Sequence, residues 1–259
     1  MTGPLGLDVR FALVTGGTSG IGRASVGRLR AEGMTVAFTG RSVERGEAVA
    51  RETSATFLAC DHRDRVASDG AVERALELGS GRLDVLVANA GILFQGPIEA
   101  TPETVFRELL EVNLTSLFRV ARACFRPMCE HGSGSLIHIA SDAGIRAVHE
   151  LAAYSVTKAG VIAAAELFAV EGAPHGVRSN AVCPGDIVPG VQATPTGHED
   201  HAEDPSGWVL PPSGRFGTGA DVAALVAWLA SDESEHVTGA TLRIDGGTGA
   251  AMRVATRGA

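Results

Sequence analysis

Phe11-Ala12-Leu13-Val14-Thr15-Gly16-Gly17-Thr18-Ser19-Gly20-Ile21-Gly22 joins an uninterrupted apolar run to a glycine-rich turn. The run, residues 11–15, reads as a buried strand, and the periodic segment 20–32, stopped by Gly33, reads as a helix. Strand, turn and helix in direct succession set backbone N–H groups and a helix N-terminus where a diphosphate can sit, with glycines permitting its close approach. The spacing is Gly16-x3-Gly20-x-Gly22, unlike the Gly-x-Gly-x-x-Gly of the usual dinucleotide fingerprint. A tight turn without a ligand is the other reading of these residues alone.

Outward from this stretch, short apolar runs alternate with longer segments of helical period. Strands are expected at 35–39, 56–60, 84–88, 135–140, 177–182 and 241–245. Helices are expected at 43–52, 66–78, 152–172 and 220–230, with a long one opened by Pro102 and Glu103 and running to about Glu130. Such alternation is the signature of βαβ units. It implies an α/β fold with a doubly wound, mostly parallel seven-stranded sheet and helices on both faces. Residues 185–216 lack a clear period and are rich in Pro, Gly, His and acidic side chains, as a functional lid or binding segment would be. No linker divides the chain, so a single domain over 1–259 is expected, with a variable substrate loop at about 190–216.

Of the 259 residues, 45% are apolar and 20% charged, which is ample for a core and unlike a disordered chain. The net charge of -8 and the scattered basic residues argue against nucleic acid or an anionic membrane as partner. Cys60, Cys124, Cys129 and Cys183 fit no zinc or redox spacing and read as reduced, mostly buried thiols. No metal site is expected, including from His198 and His201. Residues 1–9 lack the features of a secretory signal, and the apolar stretches 161–170 and 222–230 are too short or interrupted for a membrane span. A cytoplasmic location is the default.

Three further motifs follow the turn in order: Asn89-Ala90-Gly91 after the fourth strand, Ser141 after the fifth, and Tyr154-x-x-x-Lys158 at a helix start. Tyr154 is the only tyrosine. Four residues apart, Tyr154 and Lys158 project from one helix face, and a nearby ammonium favours a phenolate over a phenol. Together these motifs resemble the short-chain dehydrogenase/reductase family over essentially the whole chain, through the Asp245-Gly246-Gly247 ending. The resemblance implies a Rossmann-like fold and hydride transfer between a nicotinamide dinucleotide and a small-molecule carbonyl or secondary alcohol. It assigns Tyr154 as acid/base and Lys158 as ligand of the nicotinamide ribose and tuner of Tyr154. Ser141 would hydrogen-bond the substrate oxygen, and Asn113, in Glu111-Val112-Asn113-Leu114, would hold a water of the proton relay. Cofactor contacts fall to Gly16, Thr18, Ser19, Gly20, Ile21, Gly22, Asp61, Asn89, Ala90, Gly91, Pro184, Gly185 and Ile187. Compact members are commonly homotetramers, which the apolar faces of 106–129 and 152–169 would allow.

Cofactor choice is expected after the second strand, where an acidic side chain would bind the ribose hydroxyls of NAD. The chain instead reads Thr39-Gly40-Arg41-Ser42; Arg41 can pair with a phosphate and Ser42 can add a hydrogen bond. NADP(H) is favoured and NAD(H) is the alternative, as an NAD-linked dehydrogenase of a hydroxylated ring or sugar. A catalytically idle dinucleotide sensor has no need of the Ser141, Tyr154, Lys158 set. One departure from the family pattern is Pro189, which stands in Pro184-Gly185-Asp186-Ile187-Val188-Pro189 where a threonine is common. Its loss of hydroxyl and N–H would alter nicotinamide anchoring.

Overall fold

The computed structural model describes residues 5–8, 10–188 and 210–251. The expectations attached to Pro189, to His198 and His201, and to most of the variable loop lie outside them.

Seven parallel strands form one sheet: β1 (Phe11–Val14), β2 (Thr35–Gly40), β3 (Thr56–Ala59), β4 (Val85–Ala88), β5 (Gly134–Ile139), β6 (Val177–Pro184) and, after a two-stranded insert, β9 (Thr241–Ile244). Their spatial order is β3-β2-β1-β4-β5-β6-β9. Order reverses between β1 and β4, which pair through Ala12 with Val85 and Val14 with Val87. In a doubly wound sheet that reversal opens a crevice beyond the strand ends, and the crevice is where ligands bind.

The alternating side chains of each strand feed two cores. Ala12 and Val14 of β1 pack with Val26 and Leu29 of α1 (Gly20–Ala31), Val49 of α2 (Val43–Thr53), and Val222 and Val226 of α7 (Gly219–Ala230). Phe11 and Leu13 face the other layer, with Val72 of α3 (Arg65–Leu78), Leu117 and Met128 of α5 (Ser116–His131), and Val161 and Phe168 of α6 (Ala152–Gly172). Both faces are buried, as a parallel sheet requires.

Three features differ from expectation. The long helix after Pro102 is divided into α4 (Glu103–Leu110) and α5 by a π-turn at Glu111–Thr115 that contains Asn113. Residues beyond Pro184 also form a small parallel pair, β7 (Ile187–Val188) with β8 (Gly217–Thr218), which closes the base of the expected variable loop. The helical run Ala152–His175, mean hydropathy 1.3, has the length and composition of a membrane span, contrary to the shorter stretches counted from sequence. Half of it is buried inside the protein, as for a core helix. The four cysteines are free; Cys60, Cys124 and Cys183 are buried and Cys129 is half-buried.

Candidate active site

At the β1/β4 reversal, Thr15 follows β1 and Asn89 follows β4, and the two are stitched together. The Thr15 hydroxyl accepts from the N–H of Asn89 (2.9 Å) and of Ala90 (3.0 Å). The Asn89 amide donates back to the carbonyls of Thr15 and Gly16. Gly16 has φ +68°, and a Cβ there would lie 2.9 Å from Ala90 Cα. At Gly22 a Cβ would lie 2.1 Å from the Gly16 carbonyl oxygen, so the helix can approach its own turn only with glycine at that position.

A cavity of about 570 Å³ runs from this turn to both sides. Gly16, Thr18, Ser19, Gly20 and Ile21 line its middle; Arg41 and Asp61 line one end; Asn89, Ala90, Gly91, Ser141, Tyr154, Lys158, Pro184, Gly185 and Ile187 line the other. Three expected residues do not. Gly22 acts by packing, Ser42 caps α2 by accepting from the Arg45 N–H, and Asn113 is fully buried behind Gly91.

The residues fit a dinucleotide. Helix α1 has Ser19 at its N-cap without a side-chain cap bond and no acidic residue in its first turn, so its leading N–H groups face the cavity uncapped. An anion is the natural partner of such a helix end. Beside Gly91, a Cβ would lie 3.3 Å from Asn113 Oδ1 and 3.6 Å from Lys158 Nζ, so the glycine keeps that wall open.

At the end of the cavity lined by Ser141, Tyr154 is 6% exposed and Lys158 3%. Lys158 Nζ donates to the Ile139 carbonyl (2.8 Å) and lies 5.5 Å from the centre of the Tyr154 ring. Burial pulls Lys158 down from the usual lysine value to about 8. Burial pushes the Tyr154 phenol up; contact with the Ser141 hydroxyl works against this, and Asp142 adds to it. The sequence argument gave Lys158 the leading influence on Tyr154, whereas in the protein's own field desolvation leads. The Ser141 hydroxyl donates to Asp142 Oδ1 (3.1 Å) and accepts from the Ala143 N–H (3.2 Å).

Asn113 spends its side chain on protein groups. Its Oδ1 accepts from the Ile92 N–H (2.8 Å), and its Nδ2 donates to the Ile92 carbonyl (2.9 Å) and to Thr157 Oγ1 (3.2 Å). Thr157 in turn donates to the Tyr154 carbonyl (2.7 Å). The π-turn thus ties the β4 loop to the helix that carries Tyr154, in keeping with the association of such turns with functional sites.

Sequence reasoning missed Thr157, Asp142, Asp186 and Thr248, the last three of which line the cavity. Burial raises Asp142 and Asp186 above the usual carboxylate range. Thr248 arrives from beyond β9 on a turn that Asp245 holds by accepting from the N–H of Gly247 (2.9 Å) and Gly249 (2.8 Å). The sequence signal for Thr157 was its place three residues after Tyr154, where a hydroxyl reaches back to the helix carbonyl.

Residues 16–249 match a family model described as enoyl-(acyl carrier protein) reductase. The chain is 37% identical over 246 residues to a 3-alpha-(or 20-beta)-hydroxysteroid dehydrogenase of Mycobacterium tuberculosis, covering 94% of this chain and 90% of that one. It is 35% identical over 240 residues to the 3-oxoacyl-[acyl-carrier-protein] reductase MabA of the same species, covering 93% of each. Among solved structures, levodione reductase superposes with a TM-score of 0.86 at 32% identity, covering 95% of this chain and 99% of that one. The chain therefore belongs to the short-chain dehydrogenase/reductase family. It is an oxidoreductase of CH–OH and C=O groups, working with a nicotinamide dinucleotide as the family does.

Proposed function

We propose that the whole chain forms one dinucleotide-binding domain that catalyses NADP(H)-linked interconversion of a ketone and a secondary alcohol, with Tyr154 as acid/base. The observation that carries the reading is the convergence of Ser141, Tyr154 and Lys158 at one end of the cavity whose middle is lined by the uncapped α1 N-terminus. When bound, the nicotinamide supplies or takes up the hydride. In reduction Tyr154 gives its phenolic proton to the oxygen of the carbonyl, and in oxidation it takes the proton back. Ser141 turns its hydroxyl from Asp142 to that oxygen, so two donors meet charge where it develops. Lys158 binds the nicotinamide ribose. Asn113 and Thr157 hold Tyr154 in register, and the proton relay passes a water at the π-turn.

Preference for NADP(H) is supported by the adenosine end. Among the described residues Arg41 makes no hydrogen bond or ion pair, which leaves its guanidinium for a phosphate. Asp61 is held by Arg63 through Nε (3.0 Å) and Nη2 (2.5 Å), and Arg63 lowers its carboxyl below the usual range. That pairing offsets the repulsion a carboxylate would otherwise exert on a 2′-phosphate.

Assembly as a homotetramer belongs to the same proposal. Val156, Leu167 and Val170 of α6 and Phe118 of α5 are apolar yet exposed, Val170 by 76%. A patch of that kind on two adjacent helices suits an interface. A cytoplasmic location accords with four free thiols. Titration with NADPH and NADH, followed by a screen of ketones, quinones and keto sugars for oxidation of the reduced cofactor, tests the enzymatic reading. Light scattering during size exclusion tests the assembly.

A further inference from the structure

Behind the adenosine end lies a buried histidine with no part in the catalysis above. His62 follows β3, is 7% exposed, and borders the cavity next to Asp61. Its Nε2 is 2.8 Å from Thr39 Oγ1 and its Nδ1 is 3.1 Å from Ser68 Oγ and 3.8 Å from Cys60 Sγ. Thr39, on β2, governs the glycine-rich turn twice: its carbonyl accepts from the Gly17 N–H (2.8 Å), and its hydroxyl oxygen accepts from the Gly16 N–H (3.2 Å).

These contacts favour one placement of the protons. Among the described residues the Thr39 hydroxyl has no acceptor other than His62 Nε2, so satisfying its proton makes Nε2 the acceptor. Nδ1 then carries the ring proton and donates to Ser68 Oγ, whose own hydroxyl bonds the Cys60 sulfur. Each group gives one hydrogen bond and receives one, from the turn after β1, across β2 and β3, to the first turn of α3. Burial keeps the ring neutral, pulling it down to about 4; the nearby Asp61 carboxylate opposes this and the Arg119 guanidinium reinforces it.

We propose that His62 is a positioning residue for the dinucleotide: acting through Thr39, it holds the Gly16 amide and the Asp61 wall in the register that binds the cofactor. This inference rests on reading the cavity as the dinucleotide site. Because His62 is remote from Ser141, Tyr154 and Lys158 in the cavity, its removal should weaken cofactor binding and leave the chemical step alone.

The test is calorimetric titration of NADPH and NADH into the intact protein and into His62→Leu, His62→Gln, Thr39→Val and the His62→Leu/Thr39→Val double variant, with steady-state kinetics alongside. His62→Leu should raise Kd for both dinucleotides about tenfold, the scale of one buried hydrogen bond. Its KM for cofactor should rise in parallel while kcat at saturation stays within about twofold. His62→Gln, whose carbonyl can accept from Thr39, should recover most of the loss. The double variant should bind no worse than the weaker single one, since both break the same chain. Nitrogen NMR of the wild type should show His62 as the Nδ1–H tautomer. An unchanged Kd in His62→Leu, additive losses in the double variant, or an Nε2–H tautomer would each overturn the inference. Should His62→Leu fail to fold, the nearly isosteric Thr39→Val carries the same prediction and refutation. Failure of the wild type to bind either dinucleotide would instead overturn the reading of the cavity, and the inference with it.

Discussion

Replacing Lys158 by methionine should stabilise the fold while weakening cofactor binding. Lys158 is 3% exposed, and among the described residues no carboxylate pairs with it; its ammonium has the Ile139 carbonyl and the face of Tyr154. The descent from 10.5 to about 8 caused by burial corresponds to about 3 kcal/mol of destabilisation when both states are charged. Methionine fills similar volume without charge, but forfeits the bond to Ile139, about 1 kcal/mol, and a cation–π contact of about 0.5–1 kcal/mol. The net gain at neutral pH is therefore about 1–2 kcal/mol, or roughly 2–8 °C in Tm for a chain of this size. The folded value lies below the unfolded one, so the penalty is complete below pH 8. Between pH 8 and 10.5 the folded lysine is neutral while the unfolded one still holds its proton, and wild-type stability rises relative to the variant. Urea unfolding of both proteins in parallel across that window should show the variant ahead at neutral pH and the gap closing towards pH 10.5. A variant no more stable than wild type at neutral pH, or a gap that does not close, would refute the reasoning.

Three other substitutions probe separate parts of the site. Tyr154→Phe should lower kcat by about 10²–10⁴-fold through loss of the proton donor, with NADPH Kd within about threefold, since the ring still packs under Lys158; turnover near wild type would reject the acid/base role. Arg41→Asp should shift the ratio of kcat/KM for NADPH over NADH by at least about tenfold toward NADH, the scale of one charge-assisted phosphate contact, and an unchanged ratio would remove Arg41 as the discriminator. Gly22→Ala places a Cβ 2.1 Å from the Gly16 oxygen, which should cost about 1–3 kcal/mol and abolish dinucleotide binding in titration calorimetry; intact binding would show that the turn does not depend on that approach.

How far the sequence could be read depended on which interactions decide each element. Helix α6 was legible to its last residue because its period is unbroken from Ala152 to Gly172, and the strands fell within two residues because apolar runs ending at turns mark them directly. The π-turn was not legible: Glu111-Val112-Asn113-Leu114 is ordinary helical sequence, and what accompanies the extra residue is the bonding of Asn113 to Ile92 and Thr157, 21 and 44 positions away. The β7/β8 pair, two residues each, is too short to show a period. At the site, spacing revealed Tyr154 and Lys158 as a pair, but burial, which dominates both their proton affinities, is a property of the packed fold. Ser42 shows a similar limit, because a serine after a strand is equally a helix cap, and here it caps α2.

The most direct test of the central claim is titration of the purified protein with NADPH and NADH, followed by the change in reduced-cofactor absorbance on adding ketones, quinones and keto sugars. The account predicts that NADPH binds more tightly than NADH, and that at least one carbonyl compound is reduced by the wild type but not by Tyr154→Phe. Binding of neither dinucleotide, or reduction that persists unchanged in Tyr154→Phe, would contradict it.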